Sequence, residues 1–170
     1  MYGDDFAFVS TESISEERIR MGWHAYERVP FEVHCPNGDG PLPFDVAECD
    51  SVILGNAPMS LVLRRLKKGK IVFKYSERIF KRGYNYLKWL PRLFTYWKNY
   101  GRYKHLYLLA ASAFACADFN MHGAFVGKSY KWGYFPETKH YDIRQLLCDK
   151  TENSILWCGR LIDLKHPEFA

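Results

Sequence analysis

Two short stretches of this chain carry side chains that could grip a polar or anionic ligand. In YSERIFKRG, residues 75–83, a hydroxyl, a carboxylate and a guanidinium follow one another at Ser76, Glu77 and Arg78. That set suits polar hydroxyls or a phosphate, because the carboxylate accepts, the guanidinium donates in a fixed fork and the hydroxyl does either. A solvated loop with a local ion pair uses the same three residues equally well. In GRLIDLK, residues 159–165, Arg160 directly follows an apolar run, Lys165 comes five residues later, and Pro167 sits near the start of a helix-like stretch. Two cations beside the free N–H groups of a helix start form a pyrophosphate clamp. A βα turn with two incidental cations is the plainer reading of the same spacing.

A third stretch is distinguished by its charge. From Arg78 to Ala117 there is no acidic residue, while Arg78, Lys81, Arg82, Lys88, Arg92, Lys98, Arg102 and Lys104 alternate with aromatics that include Trp89 and Trp97. This asymmetry underlies the net charge of +5. Cations among aromatics suit an anionic membrane surface, a lipid-linked acceptor or single-stranded nucleic acid. They equally suit an amphipathic helix whose rings pack inward and whose charges are wet. No nucleic-acid-binding module signature is present, so no nucleic-acid partner is expected.

Other signatures are missing or false. GAFVGKS, residues 123–129, imitates a phosphate loop but has three residues between its glycines where four are required, and it runs into a strand, so a turn is expected. The six histidines show no metal spacing, and neither a GxSxG nor a Cys/His pattern occurs, so no metal and no hydrolase chemistry is expected. Five cysteines, at 35, 49, 116, 148 and 158, are odd in number and form no CxxC pair, which fits reduced thiols. The longest apolar run, 106–117, has twelve residues, against roughly 20 for a membrane span. Two aspartates stand where a signal peptide needs positive charge, so a cytoplasmic chain is expected.

The elements that must position these residues alternate. Mostly continuous apolar runs at 6–10, 31–35, 51–55, 71–75, 106–111, 129–133 and 154–159 read as strands covered on both faces. Helix patterns lie between them: SISEERIRMGW with a Ser13/Glu16 capping pair, APMSLVLRRLKKG ending at Gly69, LPRLFTYWKNYGRY, and SAFACADFNMHG ending at Gly123. Strand-then-helix order at this spacing predicts an α/β fold, a Rossmann-like parallel sheet flanked by helices. The strands from 6 to 133 are expected in one sheet, with 154–159 apart from it. Ligands of such sheets bind where the strands end, which is where Ser76 to Arg78 fall.

SILWCGRLIDLKHPEFA, taken with LLAASAFACADFNMHGAFVGKSYKWGYFPE upstream, resembles family 4 of the retaining glycosyltransferases, whose GT-B fold has two facing Rossmann-like domains. The resemblance covers nearly the whole chain, and its sharpest motif is Gly-Arg-x4-Lys at Gly159, Arg160 and Lys165. It implies that residues 1–133 are an incomplete N-terminal acceptor-side domain, 134–153 a linker, and 154–170 the start of the nucleotide-sugar-binding domain. Family members open with a strand, a Gly-rich loop and a helix, and hold the donor sugar with a Glu-x7-Glu pair. This chain has neither, so the resemblance implies an internal fragment, inactive alone. It further implies a phosphate-binding role for Gly159, Arg160 and Lys165, and a serine at a strand end at Ser112. Ser76, Glu77 and Arg78 would join Ser112 in the acceptor-side cleft. YSERIFKRG is similar to the corresponding loop of a bacterial subgroup that builds surface polysaccharide. The implied partners are a nucleotide-diphosphate sugar and a glycan or lipid-linked acceptor, with no cofactor. A nucleotide-sugar epimerase of the same architecture and a noncatalytic glycan-binding or membrane-docking α/β domain are the alternatives.

Overall fold

A computed structural model of the 170-residue chain describes residues 5–20, 30–80, 89–135 and 140–148. The strand expected at 154–159 lies outside the described residues, as do Gly159, Arg160 and Lys165 of the clamp and Lys81, Arg82 and Lys88 of the basic stretch. The described residues divide into two compact units, with the break between Gly133 and Tyr134.

The larger unit is α/β, and every strand pair in it is parallel. Strand β1 (Phe8–Ser10) leads through helix α1 (Glu16–Arg20) towards β2 (Glu32–His34), and β1 pairs with β2 with Val9 opposite Val33. A 3-10 turn at Pro36–Gly38 follows, then β3 (Ile53–Leu54), helix α2 (Ser60–Lys67), β4 (Val72–Ser76), helix α3 (Trp89–Tyr96) running into a π-helical turn (Trp97–Gly101), β5 (Leu106–Ala110), α4 (Ala115–Asn120) and β6 (Ser129–Lys131). Strands β3, β4, β5 and β6 form one sheet in that order. The expectation of a single sheet through residue 133 is therefore corrected. Among the described residues no ladder joins β1 to β3, and β3, two residues long, pairs only with β4.

The register sorts the larger sheet into two faces. Leu54, Val72, Leu106, Leu108 and Ala110 point one way and join Val62 and Leu66 of α2 and Phe119 of α4 in the core, with Tyr96 and Tyr100 packed against it. Phe119, Phe125, Tyr96 and Tyr100 interlock edge to face and by stacking, with centroids 5.3 to 6.0 Å apart. Ile53, Phe73, Tyr107 and Tyr130 point the other way, the three rings 6.0 to 6.5 Å apart. Burial on both faces was expected from the apolar runs; on this second face Leu109 of the central β5 is buried, while Ile53 and Tyr130 on the edge strands are 57% and 55% exposed. The reason is topological: parallel strands laid down in sequence order, each joined to the next by a right-handed crossover, place every crossover helix on the same face.

Local chemistry fixes the element ends. Helix α2 stops where Gly69 takes φ +73°, with its N–H and that of Lys70 donating back to Leu66 and Arg65. A Cβ on Gly101 would overlap the Gly123 carbonyl oxygen, so Gly101 lets the end of the α3 segment lie directly on the β5–β6 connection. GAFVGKS is a turn: the Lys128 N–H donates to the Phe125 carbonyl at 2.9 Å and β6 begins at the next residue. The described cysteines, Cys35, Cys49, Cys116 and Cys148, are free thiols.

The smaller unit contains α5 (Ile143–Cys148), started by Asp142, whose Oδ1 accepts the N–H groups of Arg144 and Gln145. Among the described residues no helix is long and apolar enough to cross a membrane.

Candidate functional site

At the carboxyl ends of β4 and β5 the polar residues of two loops meet. Ser76 closes β4 opposite Ala110, and the Ala111 N–H donates to the Ser76 carbonyl at 3.0 Å, so the loops beginning at Glu77 and Ala111 leave the sheet side by side. This pairing brings Ser76, Glu77 and Arg78 beside Ser112, residues far apart in sequence. The Ser76 hydroxyl donates to the Glu77 carbonyl at 3.0 Å. The Ser112 hydroxyl oxygen is buried and makes no hydrogen bond among the described residues.

Arg78 is held from below and from the side. Its Nε donates to Oδ2 of Asp118 at 3.2 Å, and its guanidinium lies over the Phe114 ring, 5.1 Å from the centroid. Asp118 is 5% exposed and also accepts the Phe80 N–H, while Nδ1 of His122 donates to the Asp118 carbonyl at 2.9 Å. A carboxylate fixed by its own helix and by a neighbouring loop thus aims a half-exposed guanidinium whose Nη groups make no hydrogen bond among the described residues. Phe114, itself largely exposed, forms a flat apolar surface beside these groups. The ion pair at Arg78 is not the local one that a solvated loop would offer: its partner lies forty residues on.

A cation on β4 reaches across to the end of the neighbouring strand β3. Lys74 is buried on the core face of β4, and its Nζ donates to the carbonyl of Gly55, just beyond β3. Burial pushes its ammonium below the ordinary lysine value, because no carboxylate offsets the lost hydration.

The basic stretch divides by environment. Arg92 turns inward, its guanidinium 5.2 Å from the Phe80 centroid with one buried Nη lacking a hydrogen-bond partner among the described residues. Tyr96 and Tyr100 also turn inward, and burial pushes both phenols up. Trp89, Trp97 and Lys98 face outward.

Asp118, Phe114 and Lys74 belong to this constellation although no motif marks them. Two of them do leave a trace in the sequence. Asp118 is the only carboxylate between Glu77 and Glu137, and Lys74 interrupts the apolar run IVFKY. Phe114 leaves none, because an aromatic in SAFACA reads as core.

Comparison of the chain with protein-family models, with curated proteins and with solved structures finds no match in any of the three.

Proposed function

We propose that this chain is the acceptor-side Rossmann-like portion of a retaining glycosyltransferase of GT-B architecture. Such an enzyme moves a sugar from a nucleotide-diphosphate donor to a glycan or lipid-linked acceptor at the cytoplasmic side, in surface polysaccharide synthesis. The observation that carries the reading is the Asp118-anchored Arg78 at the strand ends where parallel α/β sheets take their ligands, with Ser112, whose buried hydroxyl has no hydrogen-bond partner among the described residues, on the adjoining loop after β5. Arg78, Glu77, Ser76 and Ser112 offer donors and acceptors suited to sugar hydroxyls, and Phe114 offers a flat apolar face for a pyranose ring. The sheet topology is consistent with this reading. One edge of β1 and one edge of β3 are unpaired among the described residues, the two edges that a doubly wound sheet joins through an intervening parallel strand.

On this reading Gly159, Arg160 and Lys165 hold the donor's diphosphate, and the two cations neutralise charge as it develops on the leaving group. No cofactor is required beyond the nucleotide sugar itself. The reading is tested on the full-length gene product with a panel of nucleotide sugars and glycan acceptors. Acceptor-dependent release of nucleoside diphosphate, with retained anomeric configuration, is the expected result. Interconversion of the sugar without an acceptor would make it an epimerase, and glycan binding without turnover a noncatalytic module; either would overturn the proposal.

A further inference from the structure

We infer that the carboxyl ends of β3 and β4 hold an oxyanion subsite, in which Lys74 receives one carboxylate or phosphate group of a ligand. The inference does not rest on the proposed transferase activity. Its test is read without turnover, so either reading can fail without the other.

Two cations are buried among the described residues, and their surroundings treat them differently. Arg65 is 2% exposed and donates to the carbonyls of Val46, Cys49, Asp50 and Ile71, so fixed backbone engages every nitrogen of its guanidinium. Lys74 is 8% exposed, and its Nζ has one acceptor among the described residues, the Gly55 carbonyl. An ammonium carries three N–H donors, so two of them stay open. No ion pair reaches it among the described residues. Asp118 is committed to Arg78, and the charge of Glu77 is felt, after burial, by Tyr75, which leaves β4 on the opposite face from Lys74. Burying a cation with no counter-charge costs more than a single carbonyl bond returns. If the only task were to tie β4 to Gly55, a neutral donor would serve at less cost. An uncompensated charge at the end of a sheet is instead what an anionic ligand uses.

Position and sequence select the ligand. Lys74 stands two residues before the end of β4 and Gly55 is the first residue beyond β3, so the ammonium lies at the edge of the sheet where parallel strands take ligands. The turn that carries its acceptor, Gly55 to Met59, leads directly into α2 and reaches the surface at Asn56. The N–H groups of Asn56 and Ala57 have no acceptor among the described residues. No acidic residue occurs between Asp50 and Glu77, so β3, the turn, α2 and β4 contain nothing that repels an anion. Two open ammonium donors match two oxygens of a carboxylate or of a phosphate, in charge-assisted bonds. A neutral hydroxyl would fill a donor and leave the charge uncompensated. One buried cation accepts one anionic group.

The test uses the 170-residue chain with its lysines labelled with carbon-13 at Cε, titrated in sodium chloride and then with sodium acetate or inorganic phosphate at matched ionic strength. One lysine should titrate below the ordinary range in chloride, and Lys74→Met should remove that signal. Either or both anions should move its midpoint up by about one pH unit, the mark of an anion that binds the charged amine about tenfold better than the neutral one. Acetate alone acting assigns a carboxylate, phosphate alone a phosphoryl group, and both a subsite for either. With a dissociation constant on the order of 1 mM, about 20 mM of the effective anion should raise the Tm at pH 7 by about 3 °C or more. Lys74→Met keeps the aliphatic stem, so it should unfold in chloride no lower than the wild type and lose the anion-dependent rise. Lys67→Ala, on the exposed end of α2, should keep that rise. If Lys74→Met folds poorly, the wild-type titration decides alone. A Lys74 midpoint that neither anion moves would overturn the inference, as would an anion-dependent rise in Tm that survives Lys74→Met.

Discussion

Asp118 organises the candidate site more than the residues that would touch a ligand. It is buried, it accepts from Arg78 and from the Phe80 N–H, and its removal would free the guanidinium that lies over Phe114. Taking away Arg78 instead would leave a buried carboxylate with one remaining partner. The pair should therefore be coupled: a double-mutant cycle of Arg78→Ala and Asp118→Asn, read by urea denaturation, is expected to give a coupling energy of about 1–2 kcal/mol. A value near zero would reduce the contact to a surface ion pair and remove the argument that the guanidinium is preorganised. At the other end of α2, Glu48 receives the ammonium groups of Lys68 and Lys70, and they hold its carboxyl down at about 2, from an ordinary 4.5. Because the folded value lies below the unfolded one, this contribution to stability is fully present above the ordinary carboxylate range and is lost as pH falls through about 2. NMR titration of the Glu48 side chain should show that low midpoint, and molar salt should raise it, since the group is solvent-exposed.

At the scale of elements, two adjacent arginines show what a sequence can and cannot say. Arg64 and Arg65 look alike in LVLRRLKK, yet Arg64 is exposed and pairs with Asp45 at 3.0 Å, whereas Arg65 is 2% exposed. The Arg65 guanidinium donates to the carbonyls of Ile71 at 2.8 Å and Asp50 at 2.9 Å, and to Cys49, tying helix α2 to the segments that enter β3 and β4. Arg65→Ala should cost on the order of 3 kcal/mol or more, since it strands several buried carbonyls and empties a space. Arg64→Ala should cost no more than about 1 kcal/mol, as exposed ion pairs do. Thermal and urea unfolding of both variants measures the contrast. The helical period and Gly69 are written locally and were legible, as were the succession of strands and helices along the chain and the parallel α/β class. Which arginine turns inward depends on carbonyls fifteen and more residues upstream, which no local pattern encodes. The break between β1–β2 and β3–β6 was illegible for a related reason, because apolar runs mark strands but carry no address for their ladder partners. The candidate site was half legible. Ser76, Glu77 and Arg78 stand out at a strand end, but Asp118 and Phe114 enter only through the fold. The same topology predicts the order of opening. Amides of β5, paired on both edges and lined by the fully buried Leu106 and Leu108, should exchange with solvent on the order of 10²-fold or more slowly than those of β1, which among the described residues pairs only with β2. Equal rates would mean that the two sheets open as one.

At the scale of the whole molecule, the proposals assign different work to three sets of residues. The polar cluster at the ends of β4 and β5 would orient an acceptor. The exposed residues of the basic stretch, Trp97 and Lys98 among them, would meet an anionic membrane surface. The Gly159, Arg160 and Lys165 motif would hold a donor diphosphate. If that division is right, substitutions should separate turnover from membrane association in the full-length gene product. Arg160→Ala removes a charge-assisted contact to a group whose negative charge grows in the transition state. It should lower kcat as well as donor affinity, by on the order of 10²-fold for a contact of the oxyanion-stabilising kind. Arg160→Lys should restore only part of the loss, because an ammonium cannot reproduce the guanidinium fork. Lys98→Glu with Lys104→Glu should leave kcat and donor KM on a soluble acceptor nearly unchanged while vesicle binding falls, since both side chains are exposed and remote in sequence from the motif. Arg78→Ala should raise the acceptor KM and leave the donor KM alone. Steady-state kinetics on one soluble acceptor, run beside vesicle cosedimentation, reads all four variants. Wild-type kinetics in Arg160→Ala together with lost turnover in the charge-reversed variant would invert the assignment and place the chemistry on the basic face of α3.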